Sequence, residues 1–199
     1  SKYKGNYTGN LGTDVTIFSF QTVRLPNTID GGAIVFKDSD LYKKALLTRD
    51  FGIRRDIFRD ENNEISAKCD ISLSGYGATM SDINSYIGCC QMDEIMMLLE
   101  SQQRNAKKWD VIIEQTYPRF YRLNQRDQIQ PNYWVYGFLC DRKIEVMLDF
   151  RKQGYYASGV HLNNNCYSVF GNTEKLCGVN DFMKKFVAIP CGWWLNLNL

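Results

Sequence analysis

Residues 18 to 32, FSFQTVRLPNTIDGG, contain the side chains best suited to hold an anion. The hydroxyl of Ser19 stands five positions before the guanidinium of Arg24, and the paired glycines Gly31 and Gly32 follow. A guanidinium binds phosphate or carboxylate through a fork of donors, and glycine-rich turns add backbone N–H groups. An arginine beside such a turn could hold a phosphate or a carboxylate. Taken alone, Ser19 also suits a structural strand hydroxyl and Arg24 a solvated charge.

His161 is the single histidine and the one side chain with an unperturbed pKa near neutrality, which makes it a candidate for acid–base chemistry. A lone histidine is more often structural. Three asparagines at 163 to 165 lie beside it and suit either the recognition of hydroxyl groups or an ordinary loop. Since there is one histidine and no C-x-x-C pair, we expect no metal site.

Composition narrows the possible partners. The net charge is +2 and basic residues alternate with acidic ones, which argues against nucleic acid as a partner. No apolar run approaches the roughly 18 residues that span a bilayer, and the first residues do not resemble a signal peptide. Seven cysteines at irregular positions suggest reduced thiols, so we expect a cytoplasmic protein without membrane contact.

Strand-like and helix-like stretches alternate in the first part of the chain, which is typical of layered α/β architecture. The apolar run from Val15 to Phe20 predicts a buried strand, and residues 33–36 predict a second strand. A helix is expected to begin at Asp38, Ser39 or Asp40 and to end near Gly52. We expect Ser81 to cap a long helix through Met97, with another helix over residues 99–115.

The composition changes to aromatic, strand-like blocks from Tyr117 onward. These blocks predict two strands, a helix that ends at Gly154, and further strands at YYASGVHL and KKFVAIP. We therefore place a domain boundary near residue 115, with a small α+β domain over residues 116–199.

The order of these segments resembles the C-terminal half of the pyridoxal-phosphate-dependent nucleotide-sugar aminotransferases of the DegT/DnrJ/EryC1/StrS family. In that family the stretch matching residues 18–32 reads roughly F-S-F-H-x-x-K-x-(x)4-G-E-G-G. GYGATMSDINSYIG at 75–88 is similar to the family's G-Y-N-x-R-M-T-D-I-Q-A-A-I-G. GVHLNNNCYSVFG resembles the family's substrate-side histidine segment. The family's N-terminal half has no counterpart in these 199 residues.

The resemblance implies a fold and a site. Residues 1–115 would form the C-terminal part of the large α/β/α pyridoxal-phosphate domain of a fold-type I transferase, and 116–199 its small domain. Ser19 would hold the cofactor phosphate, Gln21 would replace a histidine near the cofactor, and Arg24 would occupy the position of the Schiff-base lysine. His161 and Asn163 would face the substrate.

Two further positions depart from the family pattern. Gly77 replaces an asparagine that in the family reaches the cofactor phosphate of the partner subunit, and Thr79 replaces an arginine. Since family sites lie between two subunits, the resemblance implies either a homodimer or a partner chain that supplies the N-terminal half.

The implied reaction transfers an amino group from an amino acid such as glutamate to a nucleotide-linked keto-sugar. Arginine stays protonated and is a poor nucleophile, so covalent linkage of pyridoxal phosphate at Arg24 is not expected. Three hypotheses remain open: a sugar aminotransferase that is impaired or dependent on a partner chain, a non-catalytic binding or partner subunit, and an enzyme like the pyridoxal-phosphate-dependent sugar dehydratases, which also lack the lysine.

Overall fold

The structure is a computed structural model that describes residues 1–123, 126–171 and 174–197. Its helices are α1 (Ser39–Arg49), α2 (Asp82–Met92), α3 (Ile95–Thr116), α4 (Lys143–Lys152) and α5 (Cys177–Lys185). Its strands are β1 (Lys2–Tyr3), β2 (Asn6–Tyr7), β3 (Val15–Ser19), β4 (Gly32–Phe36), β5 (Tyr121–Arg122), β6 (Ile129–Gln130), β7 (Val135–Leu139) and β8 (Phe186–Pro190). The mixture of helices and strands confirms the predicted α/β class.

The chain forms two compact units. One unit comprises Ser1–Gly5 with Glu94–Leu199, and the other comprises Asn6–Asp93. The boundary between these units lies between Asp93 and Glu94, before α3. The sequence predicts a domain boundary after α3, near residue 115. The division into domains at 115/116 stays a prediction.

The unit that contains Glu94–Leu199 is built around α3. β7 pairs with both β5 and β8 in an antiparallel sheet, and β1 pairs with β6. Alternate residues of β7 are buried, which places Tyr136 and Phe138 in the core beside α3 and α4. The buried cluster consists of Ala106, Trp109, Ile113, Tyr136, Phe138, Cys140, Phe150, Ala157, Val187, Ile189, Cys191 and Leu197.

Trp109 is the central side chain of this core. It is 1% exposed, and its ring centroid lies 5.0 Å from that of Tyr155 and 6.1 Å from that of Phe150, both in edge-on geometry. Its Nε1 donates a hydrogen bond of 2.9 Å to the carbonyl of Pro190. Since burial of an indole requires a partner for its N–H, this bond fixes the end of β8 against α3.

In the unit Asn6–Asp93, β3 and β4 form a two-stranded antiparallel sheet in which Ser19 is opposite Gly32. Asp38 caps α1 by accepting hydrogen bonds of 2.8 Å from the backbone N–H groups of Asp40 and Leu41. The helix ends at Arg49, and Gly52 follows with φ +76. Ser81 caps α2 as the sequence predicts.

Three expectations about single elements were wrong, and one helix was missed. The strand at 15–20 is not buried, because Ile17 is 74% exposed on a sheet of two strands. The helix from Ser81 ends at Met92 and α3 begins at Ile95, so the break precedes Met97. Residues 155–162 form only a bridge, between Ser158 and Ala188. α5 was not predicted. Within the described residues, none of the helices is long and apolar enough to cross a membrane.

Candidate functional site

The loop of residues 19–32, which joins β3 to β4, is closed by backbone hydrogen bonds. Phe20 N donates to Gly31 O at 2.9 Å, and Thr28 N donates to Phe20 O at 2.7 Å. A cis peptide bond joins Leu25 to Pro26. Thr28 is 2% exposed and its hydroxyl donates to the carbonyl of Asp30 at 2.8 Å. The loop is therefore an ordered turn that holds its two ends together.

Helix α2 holds this loop through three residues on one face. Gln91 accepts from Asn27 N at 3.1 Å and donates to Asn27 O at 2.6 Å, while Asn84 Nδ2 donates to Asp30 O at 3.0 Å. A Cβ added at Gly88 would lie 2.7 Å from the Thr28 methyl group, so a glycine is needed for the close approach. Positions 84, 88 and 91 share one helix face because they are four and three residues apart.

Ser19 lies at the end of β3 and is exposed. With Gly31 and Gly32 it lines an open groove of about 920 Å³, to which α1 also contributes. Its Oγ accepts a hydrogen bond of 3.5 Å from Gln21 N. This long bond leaves the hydroxyl proton of Ser19 available to a ligand in the groove.

Gln21 and Arg24 do not line that groove. Gln21 is exposed, and Arg24 is half-buried with its Nε buried. Arg24 N donates to Gln21 O at 2.8 Å, which forms a tight turn between them. The structure therefore places Ser19, Gln21 and Arg24 on one loop, with only the first of them on the groove wall.

Gly77 is covered by an aromatic ring. A Cβ at this position would lie 2.4 Å from Cζ of Phe51, whose backbone has φ +54, and Gly77 forms a bridge with Asp50. Arg55 donates two hydrogen bonds of 2.6 Å to the Asp50 carboxylate, and these bonds lower the pKa of Asp50. The space that an asparagine side chain would need at 77 is occupied by the Phe51 ring.

His161 belongs to the other compact unit. It lines an open pocket of about 470 Å³ together with Lys143, Ser158 and Tyr167, and its ring stacks on Trp134 with centroids 6.0 Å apart. The preceding Val160 has φ +61, and Val160 N donates to Ser158 Oγ at 3.1 Å. Because a β-branched residue rarely adopts such a φ, the turn that presents His161 is held in place by its neighbours.

The bridge between Ser158 and Ala188 connects this turn to the core. Ser158 N donates to Ala188 O at 3.0 Å, and Ala188 N donates to Ser158 O at 2.8 Å. Ala188 lies in the middle of β8, so the His161 pocket depends on the position of that strand.

Asn163 does not line the His161 pocket, whereas Asn164 does. The amide of Asn163 donates to Asn165 Oδ1 at 2.6 Å and to Asn180 Oδ1 at 3.3 Å. Its contact with a substrate stays a prediction. Among the described residues, no group of three or more histidine, cysteine, aspartate or glutamate side chains is placed to hold a metal ion.

Sequence reasoning missed the residues that hold the loop of residues 19–32: Thr28, Asn84, Gly88 and Gln91. The sequence contained one signal: Asn84, Gly88 and Gln91 are four and three residues apart in a predicted helix, so they lie on one face of it. Their partner is a loop more than fifty residues away, which a local pattern does not identify.

Comparison with known proteins identifies the kind of fold to which these sites belong. The model of the DegT/DnrJ/EryC1/StrS aminotransferase family matches residues 1–196. A UDP-4-amino-4,6-dideoxy-N-acetyl-beta-L-altrosamine transaminase of Helicobacter pylori is 26% identical over 207 residues, which cover 99% of this chain and 52% of that protein. The chain spans about half the length of the curated relatives that it matches most fully.

Solved structures agree with that match. The sugar aminotransferase CalS13 of Micromonospora echinospora superposes with a TM-score of 0.87 at 26% identity, over 98% of this chain and 51% of the CalS13 chain. The putative sugar aminotransferase Spr1654 of Streptococcus pneumoniae, in its PLP form, superposes with a TM-score of 0.82 over 98% of this chain and 50% of that one. At 18% identity, the second likeness shows the fold alone.

Proposed function

We propose that this chain supplies one half of a sugar aminotransferase site built for pyridoxal phosphate. The chain belongs to the DegT/DnrJ/EryC1/StrS aminotransferase family. The observation that carries this proposal is the closed loop of residues 19–32. It sets an accessible hydroxyl beside paired glycines at the end of a strand, and α2 holds it in place.

The side chains present suit the phosphate of the cofactor. The Ser19 hydroxyl and the Arg24 guanidinium are both donors, and a guanidinium is a strong partner for a phosphate dianion. Gln21 adds an amide donor. We propose that Ser19 donates to a phosphate oxygen in the groove, and that Arg24 lends positive charge from the same loop.

The loop of residues 19–32 offers no amine to the cofactor aldehyde, whereas Lys44 of α1 lines the groove. No lysine occurs between Lys4 and Lys37, so this loop offers no primary amine. Pyridoxal phosphate, when bound, supplies an electron sink for bonds at the amino carbon. Arg24 cannot attach to it and is a poor base, so we propose that the chain holds the cofactor without covalent linkage.

On the substrate side, we propose that His161 faces a nucleotide-linked sugar. Its pocket contains a cation, Lys143, and the hydroxyls of Ser158 and Tyr167, which are groups that bind sugar hydroxyls and phosphate. The Trp134 ring keeps the imidazole plane fixed. Asn163, two residues beyond His161, is proposed as a second contact.

Several finer features belong to the same proposal. The amino donor would be an amino acid such as glutamate, and the acceptor a keto-sugar linked to a nucleotide. We propose a homodimer, or a partner chain that supplies the half of the relatives' length not spanned here. The seven free cysteines favour a cytoplasmic location.

A non-catalytic binding or partner subunit is the second candidate, and Arg24 favours it. A chain that binds pyridoxal phosphate without an attached amine can position ligands but lacks the proton relay that a lysine provides. The dehydratase-like alternative requires another group near the cofactor to move protons. Gln21 cannot do so, because an amide does not titrate.

Binding of pyridoxal phosphate tests the proposal. We would titrate pyridoxal phosphate and pyridoxal against this chain, alone and mixed with the part of CalS13 that this chain does not match. The expected result is preference for the phosphorylated ligand, reduced at least tenfold in Ser19→Ala and unchanged in Ser101→Ala, a half-buried serine of α3 in the other compact unit. Equal affinity for both ligands, or no effect of Ser19→Ala, would contradict the assignment.

A further inference from the structure

The lining of the His161 pocket contains one lysine, Lys143, and no carboxylate. The ammonium of Lys143 donates a hydrogen bond of 2.7 Å to the carbonyl of Met183 in α5. Among the described residues it has no second hydrogen-bond acceptor and no ion pair, so two of its three donors are free for a ligand. The side chain is half-buried, and water and salt therefore screen its charge less than at the open surface.

The carboxylates nearest to Lys143 in the sequence are neutralised by other cations. Lys143 is the first residue of α4, and each acidic side chain of α4, of α5 and of the turn before α4 forms an ion pair with a different basic residue. The pairs are Arg142–Glu145 at 2.9 Å, Lys152–Asp149 at 3.6 Å, Lys184–Asp181 at 3.7 Å and Lys185–Asp141 at 2.8 Å. The charge of Lys143 is left uncompensated, which makes the pocket favourable for an anion.

Gly159 lies directly against this ammonium. A Cβ added at position 159 would lie 2.7 Å from Nζ and 3.2 Å from Cε of Lys143. Gly159 does not have a φ in the left-handed region, so the backbone alone does not require a glycine there. The missing side chain instead lets the ammonium lie against the turn that carries His161.

Neutral donors line the rest of the pocket. Ser158 Oγ accepts from Val160 N at 3.1 Å, which leaves its own proton free to donate to a ligand. Asn164 and Tyr167 add an amide and a phenol. An ammonium among neutral donors suits a phosphate group, because lysine binds phosphate as a point charge, whereas the planar fork of arginine best matches a carboxylate. The pocket lining contains no arginine.

We infer that Lys143 and Gly159 form a subsite for the diphosphate that links a sugar to its nucleotide. The inference rests on the proposed function, because it names the charged part of the ligand proposed for the His161 pocket. The other anion of the proposed reaction is the carboxylate of the amino donor, and binding of glutamate distinguishes the two. A pocket that selects a diphosphate discriminates against sugars without one.

Lys143 also has a structural partner. Met183 lies in the last turn of α5, where carbonyls lack a partner within the helix, and Lys143 satisfies one of them. A lysine limited to this role would lower the stability of the chain when replaced and leave the affinity for ligands unchanged. Binding and unfolding must therefore be measured on the same variants.

Calorimetric titration of the whole chain with UDP, pyrophosphate, uridine and glutamate tests the inference. We expect UDP and pyrophosphate to bind, and uridine and glutamate to bind at least about tenfold more weakly. Lys143→Met removes the charge and keeps the length of the side chain, so it should weaken UDP binding at least about tenfold. The matched control is Lys152→Met in the last turn of the same helix, where the ammonium pairs with Asp149, and we expect an effect below about twofold.

Gly159→Ala keeps the lysine and places a methyl group against its ammonium. We expect a loss of UDP affinity of about tenfold here too, because the ammonium must move away from the turn. Gly178→Ala in α5, where nothing lies within 4 Å of the added Cβ, should leave UDP affinity unchanged. Circular dichroism shows whether Lys143→Met folds, and Gly159→Ala decides the outcome if it does not.

The contrary results are equally specific. Unchanged UDP affinity in a folded Lys143→Met chain, or in Gly159→Ala where Lys143→Met does not fold, would overturn the inference. Equal affinity for uridine and UDP, tighter binding of glutamate than of UDP, or no detectable binding of UDP would do the same. UDP binding that depends on Lys143, together with a failure to bind pyridoxal phosphate, would contradict the proposed function alone.

Discussion

Asn105 holds the C-terminal segment of the chain against α3, and its replacement gives a quantitative test of how the core is closed. The side chain is 7% exposed, and its Nδ2 donates to the carbonyls of Gly192 and Leu195, both at 2.9 Å. Leu197, the last residue that the structure describes, is 2% exposed. Asn105 thus holds residues 192–195 against α3, and Lys108 of the same helix donates from its Nζ to Leu197 O.

The expected cost of Asn105→Ala follows from those two bonds. Each contributes about 0.5–1.5 kcal/mol net, and a buried carbonyl left without a donor costs about 1–3 kcal/mol. Water can reach part of the site once residues 192–195 loosen, so we expect a total of about 2–4 kcal/mol. The free energy of unfolding falls by about 1–3 kcal/mol per molar of urea, so the midpoint of urea unfolding should fall by roughly 1–3 M.

The assay is urea unfolding followed by circular dichroism. The control is Lys107→Ala, an exposed lysine on the same helix, for which we expect little change. A midpoint for Asn105→Ala within about 0.3 M of that control would refute the view that the buried amide holds residues 192–195.

Three further predictions concern the same unit. Burial raises the pKa of the Cys191 thiol to about 12. The folded pKa then lies above the unfolded one, so this stabilisation is complete below about pH 8.5 and is lost as pH rises toward the folded pKa. Urea midpoints should fall over that range, less steeply in Cys191→Ala; parallel pH profiles would contradict this. Gly137→Ala should destabilise by about 1–3 kcal/mol, because its Cβ would lie 2.7 Å from the Phe186 ring. Gly178→Ala, in α5 with nothing within 4 Å, should stabilise by roughly 0.5–1 kcal/mol; thermal unfolding of both variants checks the opposite signs.

Elements whose signals are local could be predicted from the sequence. Asp38 and Ser81 are N-cap residues at positions that the sequence predicts, because a capping side chain bonds to the backbone two or three residues away. The break between α2 and α3 was missed by about four residues. Asp93 and Glu94 carry no glycine or proline signal, and Glu94 makes no side-chain capping bond.

The burial of a strand, and which side chains line a groove, could not be predicted from local sequence signals. The apolar run at 15–20 correctly indicates a strand, yet its composition does not tell that Ile17 is exposed on a sheet of two strands. Likewise, Ser19, Gln21 and Arg24 were assigned together from one motif. In the structure a tight turn joins Gln21 to Arg24, and of the three residues only Ser19 lines the groove.

We propose that this chain holds pyridoxal phosphate through its loop without attaching to it. Borohydride reduction of the chain assembled with the unmatched part of CalS13, after addition of pyridoxal phosphate, tests this directly by peptide mass. We predict no adduct on any lysine of this chain, and an adduct at position 24 in Arg24→Lys. An adduct on a lysine of the unsubstituted chain, or none in the variant, would contradict the account.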